Sequence, residues 1–248
     1  MLPAPSLPPP PTLRWADEDF LCLPQRALFW PRRHTLIIAD THLGKPATFR
    51  SVGIPIPEGS THADLSRLSA LISTLGATRL VILGDLLHSR RGREPAVMSA
   101  VAHWRASLPS LDILLIRGNH DRSAGDPPPD WNLRIADQVH ADPLDAHIGF
   151  AHEPEHVPAA DPRHILCGHL HPAAILDSPA RSIKAPCFWF GPRRAVLPAF
   201  GSFTGTLAIR PRIGDRVLVV GDNQVIDMTP PSPPSSPFPH PAISTRIP

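Results

Sequence analysis

Residues 111–121 read LDILLIRGNHD, an apolar run that ends in a glycine and three polar side chains. Ile113–Ile116 is too short for a helix and its residues are nearly all branched, so we predict a buried β-strand. Gly118 lets the backbone turn sharply where this strand ends. The side chains at 119–121 can therefore contact a ligand from a rigid starting point.

The same arrangement occurs twice earlier in the chain. Leu36–Ala39 leads into Asp40 and His42, and Leu80–Leu83 leads into Gly84 and Asp85. In open α/β sheets, ligands bind outside the carboxyl ends of the strands. Each junction alone is compatible with an ordinary turn, because Asp, Asn and Gly are common there. Three such strand ends together predict one shared site.

Composition narrows the class of protein. The chain has 248 residues, 42% hydrophobic and 19% charged, which suits one or two globular domains. A net charge of +2 does not by itself indicate a nucleic-acid-binding protein. The N-terminus lacks the pattern of a secretory signal, and no apolar run approaches the length of a membrane span.

Cysteine and histidine usage differ sharply. The three cysteines are scattered and form no C-x-x-C pair, which argues against a disulfide framework or a cysteine zinc cluster. They fit a reducing cytosol, so we expect a cytoplasmic protein. The fourteen histidines are an excess, and histidine is the commonest metal ligand and a frequent general acid or base.

Helices are predicted between the three strands. One begins with Thr61 as its N-cap and ends at Gly76, and the next begins near Pro95 and ends before Pro109. Residues 44–59 are predicted to form a loop that borders the site. The order strand, helix, strand, helix, strand is typical of a parallel α/β core.

The second half of the sequence is β-rich. We predict one domain over residues 13–228, with Pro-rich disordered tails at 1–12 and 229–248. Two sheet layers flanked by helices account for both halves, which makes the fold class α/β. The predicted strands of the second half are Ile148–Ala151, His164–Cys167, Ser182–Ala185, Cys187–Phe190, Arg194–Leu197, Leu207–Ile209 and Arg216–Val220.

Three further histidines follow strands of the second half. His152 comes directly after one strand, and His169 and His171 follow another, where strand alternation would place both on one face. With the earlier residues they make a set of oxygen and nitrogen donors that suits Mn²⁺, Fe or Zn²⁺. Seven ligands are too many for one tetrahedral site and fit two ions that share a carboxylate. The candidate metal ligands are Asp40, His42, Asp85, Asn119, His152, His169 and His171.

The short sequence blocks that contain these candidate ligands, taken in chain order, resemble the calcineurin-like metallophosphoesterase family. The family pattern is D-x-H, G-D, G-N-H-[DE], a lone H and G-H-x-H. The resemblance covers about residues 20–200. It implies a four-layer α/β/β/α sandwich of two mixed sheets flanked by helices. It also implies hydrolysis of a phosphodiester by a hydroxide that bridges two divalent ions, with manganese expected first and iron or zinc as alternatives.

The resemblance assigns roles to single residues. It implies that Asp85 bridges the two ions and that His120 stabilises transition-state charge or protonates the leaving group. One ion would be held by Asp40, His42 and His171, and the other by Asn119, His152 and His169. We include His120, Asp121 and His88 as catalytic candidates. His88 stands where many family members have an aspartate, and it could orient His120, touch substrate or be structural.

A narrower resemblance points to DNA. Five stretches of the sequence resemble a bacterial subfamily, the ligase-associated DNA damage response endonuclease PdeM. This resemblance implies a repair context shared with a DNA ligase, an exonuclease and a helicase. Arg90, Arg91 and Arg122 are candidate substrate-binding residues, with a solvated arginine face as the alternative. The stretches are Gly53–Gly59, Ala151–Pro154, Gly168–Pro172, Pro186–Trp189 and Leu197–Gly201.

Three functions are compatible with these patterns. The first is a two-metal phosphodiesterase that acts as an endonuclease on DNA. The second is a hydrolase of small phosphodiesters or nucleotides. The third is a non-catalytic scaffold on the same fold, which we rank last because such scaffolds lose metal ligands and this chain retains all seven.

Overall fold

The computed structural model describes residues 10–155, 158–177 and 182–229. The predicted disordered tails fall almost wholly outside these ranges, and the single-domain assignment stays a prediction. The first described strand begins at Thr12, one residue before the predicted start of the domain.

A first sheet of seven strands is built from residues before 137 of the described chain. Its strands follow one another in chain order, antiparallel from the first to the fourth and parallel from the fourth to the seventh. The three central strands are buried over their whole apolar stretches, as expected when both faces of a parallel sheet are covered. The strands are β1 (Thr12–Trp15), β2 (Glu18–Leu23), β3 (Ala27–Trp30), β4 (Thr35–Ile38), β5 (Arg79–Leu83), β6 (Asp112–Ile116) and β7 (Arg134–Ala136).

The described α-helices all precede residue 125. They are α1 (Lys45–Arg50), α2 (Ser60–Leu75), α3 (Pro95–Ala106) and α4 (Asn119–Ala124). The predicted loop 44–59 was wrong in part, because α1 forms within it. The predicted cap Thr61 was also wrong, because Gly59 caps α2 in a left-handed conformation without a side-chain bond. Both α2 and α3 connect parallel strands.

A second sheet of nine strands occupies the rest of the described chain. β9 and β10 are parallel neighbours, and β10 also pairs in parallel with β13. One continuous β12 replaces the two strands predicted over 182–190. The strands are β8 (His140–Asp142), β9 (Asp145–Phe150), β10 (His164–Cys167), β11 (Pro172–Asp177), β12 (Ser182–Phe190), β13 (Arg194–Val196), β14 (Leu207–Ala208), β15 (Arg216–Val220) and β16 (Val225–Asp227).

One large core lies between the two sheets. Burying each large aliphatic side chain there contributes about 1.5–3 kcal/mol of transfer free energy. The opposite face of the first sheet packs against α2 and α3 through Leu68 and Val101. The inter-sheet core includes Leu28, Ile37, Val81 and Leu114 from the first sheet and Phe150, Leu166, Phe188 and Leu218 from the second.

The predicted α/β fold class is confirmed by two mixed sheets with helices. The outer face of the second sheet has a small buried cluster of its own, formed by Cys187, Ile209, Val217 and Val219. Among the described helices, none combines the length and the apolar character needed to cross a membrane.

Candidate metal centre

The carboxyl ends of strands from both sheets meet at one place. β4, β5 and β6 are parallel neighbours, so the residues that follow them, Asp40, Asp85 and Asn119, leave the first sheet at one edge. β9 and β10 are parallel neighbours in the second sheet and lead to three histidines in the same way. Each sheet therefore contributes three or more of the predicted ligands.

The first group contains Asp40, His42 and His171. His42 Nε2 lies 3.2 Å from His171 Nε2, and His171 Nε2 lies 3.6 Å from Asp40 Oδ1. Burial and the neighbouring cationic groups lower the pKa of His42 to about 2, so its imidazole is neutral. Burial is the largest influence on His171 and opposes its charged form, but the hydrogen bond and charge of the Asp40 carboxylate, together with the Gly205 carbonyl, outweigh burial and raise the pKa of His171.

The second group surrounds His152. His152 Nε2 lies 2.9 Å from Asn119 Oδ1 and 3.1 Å from His169 Nδ1. Burial lowers the pKa of His169, and the charge of His152 lowers it further.

Asp85 lies between the two groups. One carboxylate oxygen, Oδ2, is 3.8 Å from His42 Nε2 and 3.6 Å from His152 Nε2. The other accepts a hydrogen bond from the His120 backbone N–H at 2.9 Å. Burial raises the pKa of Asp85 to about 6. This is the position that a bridging ligand needs, and the raised pKa reflects the cost of a buried carboxylate.

The donor set fits divalent cations. His152 Nδ1 donates to the Leu83 carbonyl at 3.0 Å, so in the neutral ring Nε2 carries a lone pair. That lone pair faces the Asn119 amide oxygen and the Asp85 carboxylate, which are both acceptors. Acceptors that converge with no proton between them repel one another, and a bound cation removes the repulsion. Neutral imidazoles fixed by a second hydrogen bond are the usual nitrogen ligands of metals.

The ligand loops have an unusual backbone. Of the eleven non-glycine residues with positive φ in the described chain, five are predicted ligands: Asp40, His42, Asp85, His169 and His171. Such conformations cost of order 1–3 kcal/mol each and persist only where the surroundings hold them. Here backbone bonds hold them, such as His42 N–H to the Asp85 carbonyl at 2.8 Å.

Two glycines make room for the ligands. A β-carbon on Gly118 would collide with the Asp85 carboxylate, and one on Gly84 would collide with the His152 ring. Glycine is therefore required in the G-D and G-N-H blocks, because the ligand side chains lie too close to these two residues to leave room for a β-carbon.

The predicted placement of His169 and His171 on one strand face was wrong. β10 ends at Cys167 and β11 begins at Pro172, so both histidines lie in the connecting loop with left-handed backbones. Because alternation does not apply there, the two rings diverge. His169 contacts His152, and His171 contacts His42.

His120 and His88 form a stacked pair beside the first group. Their ring centroids are 4.7 Å apart at an interplanar angle of 24°. His120 Nδ1 donates to the His88 carbonyl at 2.8 Å, which fixes the ring and leaves Nε2 for substrate. His88 Nδ1 is 3.4 Å from His42 Nδ1. Burial, followed by the charge of His120, lowers the pKa of His88 to about 4.

Asp121, predicted as catalytic, has a structural role in the described chain. Its two oxygens accept the backbone N–H groups of Leu87 and Gly118, each at 3.0 Å, and the residue is 1% exposed. It joins the turns that follow β5 and β6. A buried carboxylate held in this way fixes the two turns that carry predicted ligands, and the catalytic role of Asp121 stays a prediction.

The predicted arginines differ in their availability. Arg91 is exposed, Arg90 is exposed and donates to the Ser123 carbonyl, and Arg122 lies 3.8 Å from Glu153. The neighbouring Arg93 donates to three backbone carbonyls at the end of α4 and just after it. Among the described residues, Arg91 is therefore the arginine of these four whose side chain makes no hydrogen bond or ion pair.

Two features of the site were missed from the sequence. Lys45 lies on the first turn of α1, three residues after His42, and its proximity in sequence was the available signal. Residues 201–207, which we call the 201–207 segment, contact His171 at two points and belong to no ligand motif.

Comparisons with known proteins agree with this geometry. A family model described as calcineurin-like phosphoesterase matches residues 33–154. The nuclease MPE of Pseudomonas putida is 34% identical to the chain, with a TM-score of 0.74, over 88% of this chain and 100% of that one. The phosphoesterase Yfce of E. coli is 18% identical with a TM-score of 0.40, over 77% and 96% of the two chains, a likeness too low to argue from. No curated protein sequence matches the chain.

The chain belongs to the calcineurin-like phosphoesterase family. It is a metal-dependent phosphoesterase, a hydrolase that acts on ester bonds, and the family binds divalent metals. The similarity to a nuclease is consistent with the DNA-repair resemblance of the sequence.

Proposed function

We propose that this protein is a two-metal phosphodiesterase that cleaves DNA strands as an endonuclease. The observation that carries the proposal is the convergence of the seven predicted ligands, from both sheets, with Asp85 between the two groups and the His120–His88 pair beside the first. The similarity to the nuclease MPE supports a nucleic acid as substrate.

The residues fit a binuclear centre. We assign Asp40, His42 and His171 to one ion, Asn119, His152 and His169 to the other, and Asp85 to both. When bound, two divalent ions would supply Lewis acidity, which lowers the pKa of water and neutralises charge on a phosphoryl group. Oxygen and nitrogen donors without a thiolate favour manganese, with iron or zinc as alternatives.

His120 is proposed as the general acid. Because its Nδ1 donates to the His88 carbonyl, Nε2 is the ring nitrogen left for the substrate, and as the general acid it would pass its proton from Nε2 to the leaving oxygen. Stacking on His88 limits rotation of the ring, so His88 is assigned a positioning role.

A repair role extends the proposal. The stretches that resemble the PdeM subfamily support action together with a DNA ligase, an exonuclease and a helicase. Arg90, Arg91 and Arg122 are proposed to meet backbone phosphates, with Arg91 the most available of them.

The first test compares hydrolysis of bis-p-nitrophenyl phosphate and the monoester p-nitrophenyl phosphate with added Mn²⁺, followed by a labelled DNA strand. We expect diester turnover and DNA cleavage, and loss of both by about 10²–10⁴-fold in His120→Ala. His103→Ala, an exposed histidine on α3, is the matched control. Turnover of the diester without DNA cleavage would favour a small phosphodiester as substrate. Absence of turnover with every divalent ion would favour the scaffold.

A further inference from the structure

Lys45 provides a cation beside the first metal group. The side chain is half-buried, and its ammonium has no ion pair or hydrogen bond among the described residues. Its backbone N–H donates to the His42 carbonyl at 3.1 Å, so the turn from His42 brings Lys45 back against the site. The position of the Lys45 backbone beside His42 agrees with its electrostatics, since Lys45 interacts with the charge of Asp85 and lowers the pKa of both His42 and His88.

The 201–207 segment is attached to the same group of ligands. Gly201 N–H donates to the Asp40 carbonyl at 3.2 Å, His171 Nδ1 donates to the Gly205 carbonyl at 3.0 Å, and Leu207 N–H donates to the His171 carbonyl at 2.9 Å. A β-carbon on Gly201 would collide with the Thr41 carbonyl. The segment is therefore fixed against the metal ligands along its length.

Phe203 lies between these attachment points and is exposed. It retains 37% of its accessible surface, which is unusual for a large aromatic side chain on a segment held so closely. It contacts Phe49 edge to face, with ring centroids 5.7 Å apart and an interplanar angle of 89°. Phe49 lies four residues after Lys45 on α1, so the two side chains share one face of that helix. Lys45 and Phe49 thus lie on one face of α1, and Phe49 contacts Phe203 on the segment that is bonded to His171.

We propose that Lys45 and Phe203 bind the nucleotide next to the scissile phosphodiester, Lys45 through a phosphate oxygen and Phe203 by stacking on the base. This inference rests on the proposed function and names the part of the site that holds the DNA. A cation followed by an exposed aromatic ring is the combination that binds one nucleotide through its two chemically different parts. Phe49 supports the Phe203 ring from its edge.

Stacking is tested with an abasic site. A single abasic residue is moved along an end-labelled DNA strand, and cleavage at each bond is read on a gel with Mn²⁺. In the wild type we expect cleavage to fall about tenfold at the bond next to the abasic residue, the loss expected for one stacked base. In Phe203→Ala, cleavage of intact DNA falls by the same factor and the abasic residue causes no further loss. Phe203→Trp retains the wild-type pattern, and Ile213→Ala, an 82% exposed apolar control, does not change it.

The phosphate contact is tested by salt dependence. In the non-cleaving His120→Ala background, Lys45→Met should lower the slope of log Kd against log salt by about 0.7, the value for one phosphate contact on a single strand. Lys184→Met is the matched control, because Lys184 is the only other lysine of the chain and is exposed on β12.

The outcomes separate the two proposals. If the wild type cleaves DNA but Phe203→Ala retains the abasic effect, or Lys45→Met retains the salt slope, this inference is overturned and the endonuclease stands. If the wild type hydrolyses the small diester and leaves DNA uncut, the DNA substrate and this inference fail together.

Discussion

Gly118 has an ordinary extended backbone, with φ −87° and ψ 177°. Glycine is therefore needed at this position for the space it leaves and not for its backbone conformation. We expect Gly118→Ala to abolish Mn²⁺ binding, because the added β-carbon would occupy the place of the Asp85 carboxylate. Calorimetric titration with Mn²⁺ measures the effect, and circular dichroism shows whether the variant is folded. Gly221→Ala is the control, since its β-carbon would meet its nearest neighbour at 3.5 Å. A folded Gly118→Ala protein with wild-type Mn²⁺ affinity would contradict the close approach.

His88 should matter less than His120. In His88→Ala the stacking partner is lost, but His120 still donates to the backbone carbonyl of residue 88. We therefore expect a fall in kcat for the diester that is smaller than the 10²–10⁴-fold loss of a general acid. KM should stay near its wild-type value. Equal losses in His88→Ala and His120→Ala would instead indicate that His88 itself contacts the reacting atoms.

At the scale of the elements, a buried arginine–aspartate pair joins the two sheets. Arg79 begins β5 and Asp142 ends β8, and their side chains meet at 2.7 Å. Removing one partner of a buried pair leaves a charge without compensation, so Asp142→Ala should lower the free energy of unfolding by about 3–5 kcal/mol. Urea denaturation measures this change.

A second carboxylate near Arg79 provides the control for this prediction. Asp112 lies 3.9 Å from Arg79, and its side chain is 46% exposed. Asp112→Ala should cost less than about 1 kcal/mol, as surface pairs do. If both substitutions have the same small effect, the Arg79–Asp142 pair does not hold the sheets together.

The strands that end at ligands were predictable because they are continuous apolar runs covered on both faces. The Ile113–Ile116 run, for example, corresponds to β6. β2 was missed, because its buried and exposed residues mix in a short stretch. α1 was missed because glycine and prolines dominate its surroundings, although tertiary contact between Gly44 and Gly92 positions its first turn.

The identities of the predicted ligands could be read from the sequence. Which of them lie together could not be derived from their spacing along the chain. His169 and His171 are two residues apart and contact different partners, because left-handed backbones send them in different directions. Lys45 and Phe203 carry no motif and come together only through tertiary contacts. Contacts between side chains that are distant in sequence can be identified only in the folded chain.

At the scale of the whole molecule, metal binding should stabilise both sheets. Because the ligands come from both halves of the chain, ions bind the folded state and not the unfolded one. We expect Mn²⁺ at 100 times its Kd to add about 2.7 kcal/mol and to raise Tm, with chelation reversing the shift. Differential scanning calorimetry measures this, and Asp85→Ala should remove most of the shift. A chelated wild-type protein with unchanged Tm would contradict the ligand assignment.

The cysteines should report global unfolding. Cys22, Cys167 and Cys187 are fully buried, and burial raises the pKa of each thiol, to about 12 for Cys187. A raised pKa keeps the thiol protonated at pH 8, and the thiolate is the reactive form. We expect Ellman's reagent at pH 8 to modify none of the three in the native protein and all three in urea. Rapid labelling of the native protein would show local opening of the cluster that buries the labelled cysteine.

The division of the ligands between the sheets also bears on synthesis at the ribosome. Asp40, Asp85 and Asn119 leave the ribosome well before His152, His169 and His171, so a nascent chain carries the acidic half of the centre without its later nitrogen ligands. Such a chain cannot assemble the proposed binuclear site at any metal concentration. Loading of the complete ligand set with metal is thus confined to polypeptides that have been translated past residue 171, and a product terminated earlier lacks part of that set.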